Sequence, residues 1–220
     1  MGGSDASWDE YFTRDETLYG RIASFCRHSF IADDLAREAE RYFPKKGIFV
    51  DAGSGTGESA VKIKKAGGRR LVALDLSVNA LRMASEEKHI DACVQGDLFA
   101  LPFRDSSVAG IYNLGVMEHF TPKQLVLILN EMHRVLRPGG YAIFFWARLY
   151  SPSGLGLRAY EFFVNRIIRR KFWYTPAELI PYTTLKPVAR IIRKSKMRLV
   201  SSKPSVGTFF IHQVVVCQKP

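Results

Sequence analysis

A glycine-rich turn is the strongest chemical signal in the chain. Three glycines alternate with small polar residues after an apolar run, giving Gly53, Ser54, Gly55, Thr56 and Gly57. Glycine permits a tight turn, and its missing side chain leaves room for a ligand against the backbone. Backbone amides at the start of a following helix would face that ligand. The turn predicts a nucleotide or cofactor site, although glycine-rich turns without a ligand also occur.

An acidic residue stands at the end of the next apolar run. Asp75 lies 18 residues beyond Gly57, and a carboxylate at the tip of a second strand can accept hydrogen bonds from both hydroxyls of a ribose. A nicotinamide enzyme would explain these two features equally well. The structural alternative is that Asp75 only caps the following turn.

Five motifs in sequence order resemble the class I S-adenosylmethionine-dependent methyltransferases, especially their large small-molecule group. They are VDAGSGTG at 50–57, LDLS at 74–77, GDLFALPF at 96–103, LGVMEHF at 114–120 and RVLRPGG at 134–140. The first has the spacing Gly-x-Gly-x-Gly rather than Gly-x-Gly-x-x-Gly. A nicotinamide dehydrogenase has no reason to carry the last three. The resemblance covers nearly half of the chain.

The resemblance implies S-adenosylmethionine as cofactor and assigns its contacts to the carboxyl ends of parallel strands, where open α/β sheets bind ligands. The implied residues are Asp51, Gly53, Ser54, Gly55, Gly57, Asp75, Leu76, Asp97, Leu98, Asn113, Leu114 and Gly115. The glycine turn would underlie the methionine part and the sugar, and Asp51 would organise that turn and reach the amino end of the cofactor through water or backbone. Asp75 would hold the ribose, with Leu76 on the adenine. Asp97, beside Leu98, would accept from the adenine amino group. Residues 113–115 would line the methionine side near the methyl.

Glu118 and His119 suggest acid–base chemistry at the same edge. Histidine can act as a general base near neutral pH, so His119 is the catalytic candidate. Packing, or orienting the acceptor, is the alternative for this residue. The methyl on the sulfonium is already activated, and a base is needed only if the acceptor must lose a proton. The family's Asn-Pro-Pro-Tyr motif is absent, which argues against methylation of the amino groups of bases.

Alternating apolar runs and helical patterns supply the elements that would position these residues. Strands are predicted at 47–51, 70–75, 91–95, 108–114 and 141–147, followed by a closely spaced pair at 197–203 and 209–219 that suits an antiparallel edge hairpin. Helices are predicted at 58–66, 77–87, 122–137, 157–173 and 184–196. Ser77 would cap the second of these, and Thr121 and Gln124 form a capping box for the third. The fold class is a Rossmann-like α/β domain with a seven-stranded, mostly parallel sheet and helices on both faces.

One domain is expected over residues 1–220, with four parts. Residues 1–46 would form an N-terminal helical cap and 47–147 the cofactor-binding core. Residues 148–183 would be a basic helical insertion forming a lid over the acceptor, and 184–220 the last helix and edge strands.

Positive charge is concentrated in the second half of the chain. Residues 148–203 contain thirteen Lys or Arg and two acids, whereas the remainder holds nineteen of each sign. Such a section attracts anionic partners, which include nucleic acid, an acidic lipid surface or an anionic substrate. The alternative is that basic residues only keep the protein soluble.

The sequence therefore predicts an enzyme that transfers a methyl group, by direct in-line displacement, to a small-molecule or lipid-like and possibly anionic acceptor. A second hypothesis is an RNA or protein methyltransferase that docks through the basic section, and a third is a non-catalytic protein that binds S-adenosylmethionine.

Three scattered cysteines give no disulfide framework and no metal site. With no secretory signal apparent, the expected location is the cytoplasm, possibly peripheral to a membrane. The oligomeric state stays open.

Overall fold

The computed structural model describes residues 31–63, 67–147, 166, 185–207, 210 and 212–220. The helices and strands of these residues, in chain order, are α1 Ala32–Tyr42, β1 Gly47–Ala52, β2 Arg69–Asp75, α2 Val78–Ala84, β3 Ala92–Gln95, β4 Val108–Leu114, α3 Pro122–Val135, β5 Leu136–Ala147, α4 Leu185–Arg193, β6 Arg198–Pro204 and β7 His212–Gln218. Two short 3₁₀ turns span Glu58–Ala60 and Met117–His119.

The described strands form one seven-stranded sheet in the order β3-β2-β1-β4-β5-β7-β6. The five strands from β3 to β5 are parallel, and β7 is antiparallel to both of its neighbours. The predicted fold class is confirmed, including the antiparallel hairpin at one edge. Because strand order reverses beside β1 and β4, this topology creates a crevice at the carboxyl ends of those two strands.

Each face of the sheet carries its own apolar core. On one face α3 and α4 cover side chains such as Val50, Ile111 and Trp146. On the other face α1 covers Phe49 and Tyr112. Neighbouring residues of a strand point to opposite faces, which explains why Phe49 and Val50 enter different cores. The central strands are therefore apolar along most of their length, as a sheet covered on both sides requires.

Two helices, α2 and α3, begin at the capping residues that the sequence predicts. The Ser77 side chain accepts a hydrogen bond from the backbone N–H of Ala80. At the start of α3, Thr121 and Gln124 form a reciprocal capping box, with Pro122 at the first helical position. A cap of this kind stabilises a helix by about 1 kcal/mol.

Other predicted boundaries were wrong. In place of a helix over 58–66 there is only the 3₁₀ turn Glu58–Ala60, and residues 64–66 lie outside the described part. Gly57 precedes this turn with a left-handed φ of +77° and provides no side-chain cap. The helix α2 ends before 87, and α3 ends at Val135 rather than 137. Residue 136 already belongs to β5, where Leu136 pairs with Val108.

Several expectations fall on residues outside the described part. These are most of the helix at 157–173, most of the basic insertion at 148–183 and most of the N-terminal cap at 1–46. The four-part division of the chain thus stays a prediction. None of the helices in the described ranges is both long and apolar enough to cross a bilayer.

Candidate functional site

The glycine turn follows β1 and is held against the end of β2. The backbone N–H groups of Gly53 and Ser54 both donate to the Leu74 carbonyl, at 2.7 and 3.0 Å. Gly53 has a φ of +82°, and a Cβ there would lie 2.7 Å from a methyl of Val116. Since that contact is closer than atoms can approach, this position requires glycine both for its backbone angle and for space.

The Asp75 carboxylate closes the same turn. One oxygen accepts from the N–H of Gly55 at 2.9 Å, and the other accepts from the N–H of Ser77 at 2.9 Å. The second bond is the turn cap that the sequence allowed as an alternative. Each carboxylate oxygen has more than one lone pair and can accept more than one hydrogen bond.

Asp51 lies at the end of β1 with only 1% of its surface exposed. Its pKa is raised to about 8, mainly by burial and further by the charge of Asp75, while the hydrogen bond from Ser59 at 3.3 Å acts to lower it. In the sheet register Asp51 is paired with Tyr112 of β4. The Tyr112 hydroxyl is also buried and has no hydrogen-bond partner in the described part of the chain.

The end of β4 contributes a buried amide. Asn113 is 1% exposed, and neither atom of its amide has a hydrogen-bond partner among the residues described. An unpaired buried polar atom costs roughly 1–3 kcal/mol, so this amide is a group that a ligand would satisfy. Leu114 and Gly115 are half-buried, and the Gly115 N–H donates to the Phe145 carbonyl at 3.1 Å.

The turn after β3 carries Asp97 and Leu98. The Gly96 N–H donates to the Asp75 carbonyl at 3.1 Å, which ties this turn to the end of β2. Asp97 is exposed and accepts from the Phe99 N–H at 2.9 Å, whereas Leu98 is buried. Leu76 is half-buried, and its carbonyl accepts from the Gln95 side chain at 3.0 Å.

His119 ends the 3₁₀ turn Met117–His119, five residues beyond the end of β4. Its side chain is half-buried, and Glu118 beside it is buried. Phe120 stacks edge-on against Phe99, with ring centroids 5.6 Å apart. This aromatic pair joins the turn after β3 to the turn after β4. The catalytic role of His119 stays a prediction.

The structure brings most of the predicted residues to one edge of the sheet. The glycine turn, Asp75 and the turn bearing Asp97 are linked by the hydrogen bonds above, and Asn113 lies on the neighbouring strand. Tyr112 and Val116 also belong to the site but were not among the residues predicted from the sequence. The alternation of side chains along β4 could have indicated Tyr112, but the contact of Val116 with the glycine turn depends on a three-dimensional approach that leaves no local signal.

A cleft of about 580 Å³ in the described structure lies away from the candidate site. It runs beside the second half of α3, where Leu127, Asn130, His133 and Lys196 line it together with Lys219. None of the predicted cofactor residues lines this cleft. Among the described residues there is also no group of three or more His, Cys, Asp or Glu that could hold a metal ion.

Comparison with known proteins agrees with this geometry. Residues 50–144 match a family model described as a methyltransferase domain. Malonyl-[acyl-carrier protein] O-methyltransferase of Erwinia pyrifoliae is 41% identical over 130 residues, which are 57% of this chain and 48% of that protein. A probable phthiotriol/phenolphthiotriol dimycocerosates methyltransferase of Mycobacterium ulcerans is 34% identical over 99 residues, 44% of this chain and 37% of that one.

Solved structures show the same fold at lower identity. A crystal structure of a SAM-dependent methyltransferase from Aquifex aeolicus superposes with a TM-score of 0.62 and 16% identity, covering 93% of this chain and all of that one. The chain spans half or less of the length of four malonyl-[acyl-carrier protein] O-methyltransferases that it matches.

The fold, the glycine turn and the match of residues 50–144 to a methyltransferase domain show that this part of the chain is similar to the class I S-adenosylmethionine-dependent methyltransferases. The resemblance found in the sequence is thereby confirmed, and the cofactor of this class is S-adenosylmethionine. The residues present fit that cofactor, because a bare backbone turn, a carboxylate at the end of β2 and an unsatisfied buried amide meet at one sheet edge.

Proposed function

We propose that this protein transfers the methyl group of S-adenosylmethionine to an anionic acceptor carried on an acyl or lipid-like chain. The observation that carries the proposal is the arrangement at the ends of β1, β2 and β4. There a glycine turn, Asp75 and the buried Asn113 lie at strand ends beside the crevice at which open α/β sheets bind ligands. Two relatives support the acceptor class, since one is named for malonyl-acyl carrier protein and the other for a dimycocerosate lipid.

Each residue has a separate task in this proposal. The turn from Gly53 to Gly57 lies against the cofactor, and Asp75 accepts hydrogen bonds from its ribose. Asp97 and Leu98 bind the adenine. Asn113, with Leu114 and Gly115, lines the methionine part.

In this reaction the main task of the protein is to position the acceptor relative to the cofactor. When bound, the cofactor supplies a methyl group already activated by a positively charged sulfur. The protein must hold the acceptor atom in line behind that methyl, because orientation of two reactants supplies much of the rate enhancement in such reactions. A carboxylate acceptor has no proton to lose and needs no base. His119 then orients the acceptor, and it accepts a proton only from acceptors that carry one.

Calorimetric titration of S-adenosylmethionine into the protein tests the cofactor half of the proposal. We expect binding by the wild type and a loss of affinity of about tenfold to a hundredfold for Asp75→Ala, because hydrogen bonds to a charged group are removed. Asp91→Ala is the matched control. Asp91 also accepts from a backbone N–H, that of Leu71 at 2.7 Å, but near the start of β3 rather than at the candidate site.

The two variants separate loss of binding from loss of folding. Asp91→Ala should lower the melting temperature and leave the cofactor affinity unchanged. Absence of cofactor binding by the wild type, or equal affinities of wild type and Asp75→Ala, would contradict the proposal. Transfer of labelled methyl to malonyl-acyl carrier protein, or to a lipid extract, then tests the acceptor.

A further inference from the structure

The end of the glycine turn lies against the segment that follows α2. Gly57 is buried, and a Cβ there would lie 3.3 Å from the Cβ of Ala84 and 3.4 Å from a side-chain carbon of Ile90. Ile90 packs against the apolar cluster that contains Ala84 of α2, and also against the core on the α1 face of the sheet. The turn and this segment are therefore in direct contact.

His89 adds a polar contact between the two. Its Nε2 lies 2.9 Å from the carbonyl oxygen of Gly57, 32 residues earlier in the chain. A carbonyl oxygen can only accept a hydrogen bond, so Nε2 is a nitrogen that carries a hydrogen. The side chain of His89 is only 10% exposed, and its Nδ1 lies 3.5 Å from a carboxylate oxygen of Glu87. These contacts hold the imidazole with Nε2 towards the turn.

The residues that follow Gly57 hold its carbonyl only weakly. Gly57 has a left-handed φ of +77°, and the 3₁₀ turn after it does not continue into a helix. The Gly57 carbonyl accepts from the Ala60 N–H at 3.3 Å, which is longer than the usual range for such bonds. His89 approaches the same oxygen more closely, and a carbonyl oxygen has lone pairs for both donors.

The strand β2 holds the first part of the glycine turn, and His89 holds its end. The Leu74 carbonyl and the Asp75 carboxylate accept hydrogen bonds from backbone N–H groups of residues 53–55. The bond from His89 holds the carbonyl of Gly57. Because a peptide unit is planar, this bond also sets the direction of the Glu58 N–H. Two neighbouring segments thus fix the backbone on which the cofactor would lie.

We propose that His89 is a positioning residue of the cofactor site. It acts through Gly57, because its Nε2–H keeps the end of the glycine turn in the conformation that receives S-adenosylmethionine. This role rests on the proposed function, which places the cofactor against residues 53–57. A group that orders the turn before the cofactor arrives reduces the entropy lost on binding and so raises the affinity.

Three variants of His89 separate its hydrogen bond from the packing of its ring. Glutamine and asparagine both carry an amide N–H donor, but only the longer glutamine side chain reaches the position of Nε2. Leucine fills the space without a donor. In calorimetric titration with S-adenosylmethionine we expect His89→Gln to bind within about twofold of the wild type. His89→Asn and His89→Leu should bind about threefold to tenfold more weakly, as loss of one hydrogen bond implies.

Asp91→Ala is the control for the segment itself. Asp91 lies two residues beyond His89, and its backbone N–H donates to the Leu71 carbonyl at 2.8 Å. This backbone bond remains in Asp91→Ala, so the segment stays attached to β2 and the cofactor affinity should equal that of the wild type.

Amide hydrogen exchange without the cofactor measures the turn directly. We expect residues 53–60 to exchange at least about threefold faster in His89→Asn and His89→Leu than in the wild type and His89→Gln, while exchange in β4 is the same in all four. Melting temperatures show whether each variant is folded. If His89→Leu fails to fold, the comparison of His89→Gln with His89→Asn decides the question.

The outcomes distinguish the role of His89 from the proposed function. Wild-type affinity in His89→Asn and His89→Leu, beside the expected loss in Asp75→Ala, would overturn the role of His89 and leave the proposed function intact. Equal losses in His89→Gln and His89→Asn would also overturn it, because the ring would then act by packing alone. Absence of cofactor binding by the wild type would refute the proposed function and, with it, the cofactor role of His89.

Discussion

Asp51 is a carboxyl group whose pKa the fold displaces strongly. Burial raises its pKa to about 8, against 3.8 for an ordinary aspartate. Between these two pH values the folded protein binds a proton that the unfolded chain has released. The free energy of unfolding must therefore fall as the pH rises from about 4 to about 8. Below this window the carboxyl group is neutral in both states and costs nothing.

Asp51→Asn removes this cost, because asparagine has the same shape and stays neutral. We expect the variant to melt at nearly the wild-type temperature at pH 4, and at least about 3 °C higher at pH 8, equivalent to roughly 1 kcal/mol for a chain of this size. Thermal melting across the pH range measures the effect. Asp33→Asn is the control, since it makes the same chemical change at an exposed position of α1. Parallel pH profiles for wild type and Asp51→Asn would contradict the burial argument.

The candidate site contains polar groups that weaken the ligand-free fold. The Tyr112 hydroxyl and the Asn113 amide are buried without partners among the described residues. They lie near Asp51, whose carboxyl pKa is raised by burial. Adjacent strand positions thus hold three polar side chains where apolar residues would pack better. Sequences accept such local costs at functional positions, where a ligand supplies the missing interactions.

At the scale of elements, Arg134 of α3 holds the segment that follows Asp97 and Leu98. Its guanidinium donates to the carbonyls of Leu101 and Phe103, at 2.9 and 3.0 Å, and to the carboxylates of Asp105 and Glu131. Glu131 in turn accepts from the Leu101 N–H at 2.8 Å. All five guanidinium donors of Arg have a fixed planar arrangement, which a lysine ammonium cannot reproduce.

Arg134→Lys should therefore destabilise the fold by about 1–3 kcal/mol and also weaken cofactor binding, because the segment continuing from Asp97 loses its attachment to α3. Urea denaturation and calorimetric titration measure the two effects. Arg137→Lys makes the same chemical change three residues later at an exposed position and should alter neither quantity. Equal behaviour of the two variants would show that the planar fork of Arg134 is dispensable.

The elements show which parts of the structure sequence patterns can predict. The caps at Ser77 and Thr121 depend on residues within one turn, and both were predicted correctly. The central strands were found because burial on both faces demands continuous apolar runs. The helix predicted at 58–66 was wrong. Gly57 has a left-handed φ, and the described residues after it form only one 3₁₀ turn. The approach of Val116 to Gly53 and the stacking of Phe99 on Phe120 join residues on different strand ends, and no local pattern encodes such contacts.

At the scale of the whole molecule, part of the basic section of residues 148–203 lies away from the candidate site. Residues 185–203 contain seven of its Lys and Arg and no acid. In α4 these cations lie on the exposed face, while Val188, Ile191 and Ile192 pack into the core beside α3. Arg198 pairs in register with Gln218, which pairs with Tyr141 near the amino end of the parallel strands. Part of the positive charge thus lies at the edge opposite to the candidate site, so the net charge of the section says nothing about its distance from the acceptor.

The first helix and the last hairpin are joined by buried carboxylates of α1. Asp34 bonds to Ser205 and Gly207, and Glu38 pairs with Lys203 at 2.6 Å. These contacts connect residues about 170 positions apart in the sequence. Removal of a buried acceptor leaves its donors unsatisfied, which costs roughly 1–3 kcal/mol for the group.

Asp34→Ala should lower the free energy of unfolding by about 2–3 kcal/mol, because a hydroxyl and an amide both lose their acceptor. Asp33→Ala is the neighbouring control. Asp33 is half-exposed and forms a surface ion pair with Lys62 at 2.8 Å, which contributes about 0–1 kcal/mol. Urea denaturation of both variants compares the two positions directly. A cost for Asp34→Ala no larger than that for Asp33→Ala would mean that α1 and the hairpin are held together by their apolar contacts alone, and that Asp34 does not hold Ser205 and Gly207 in place.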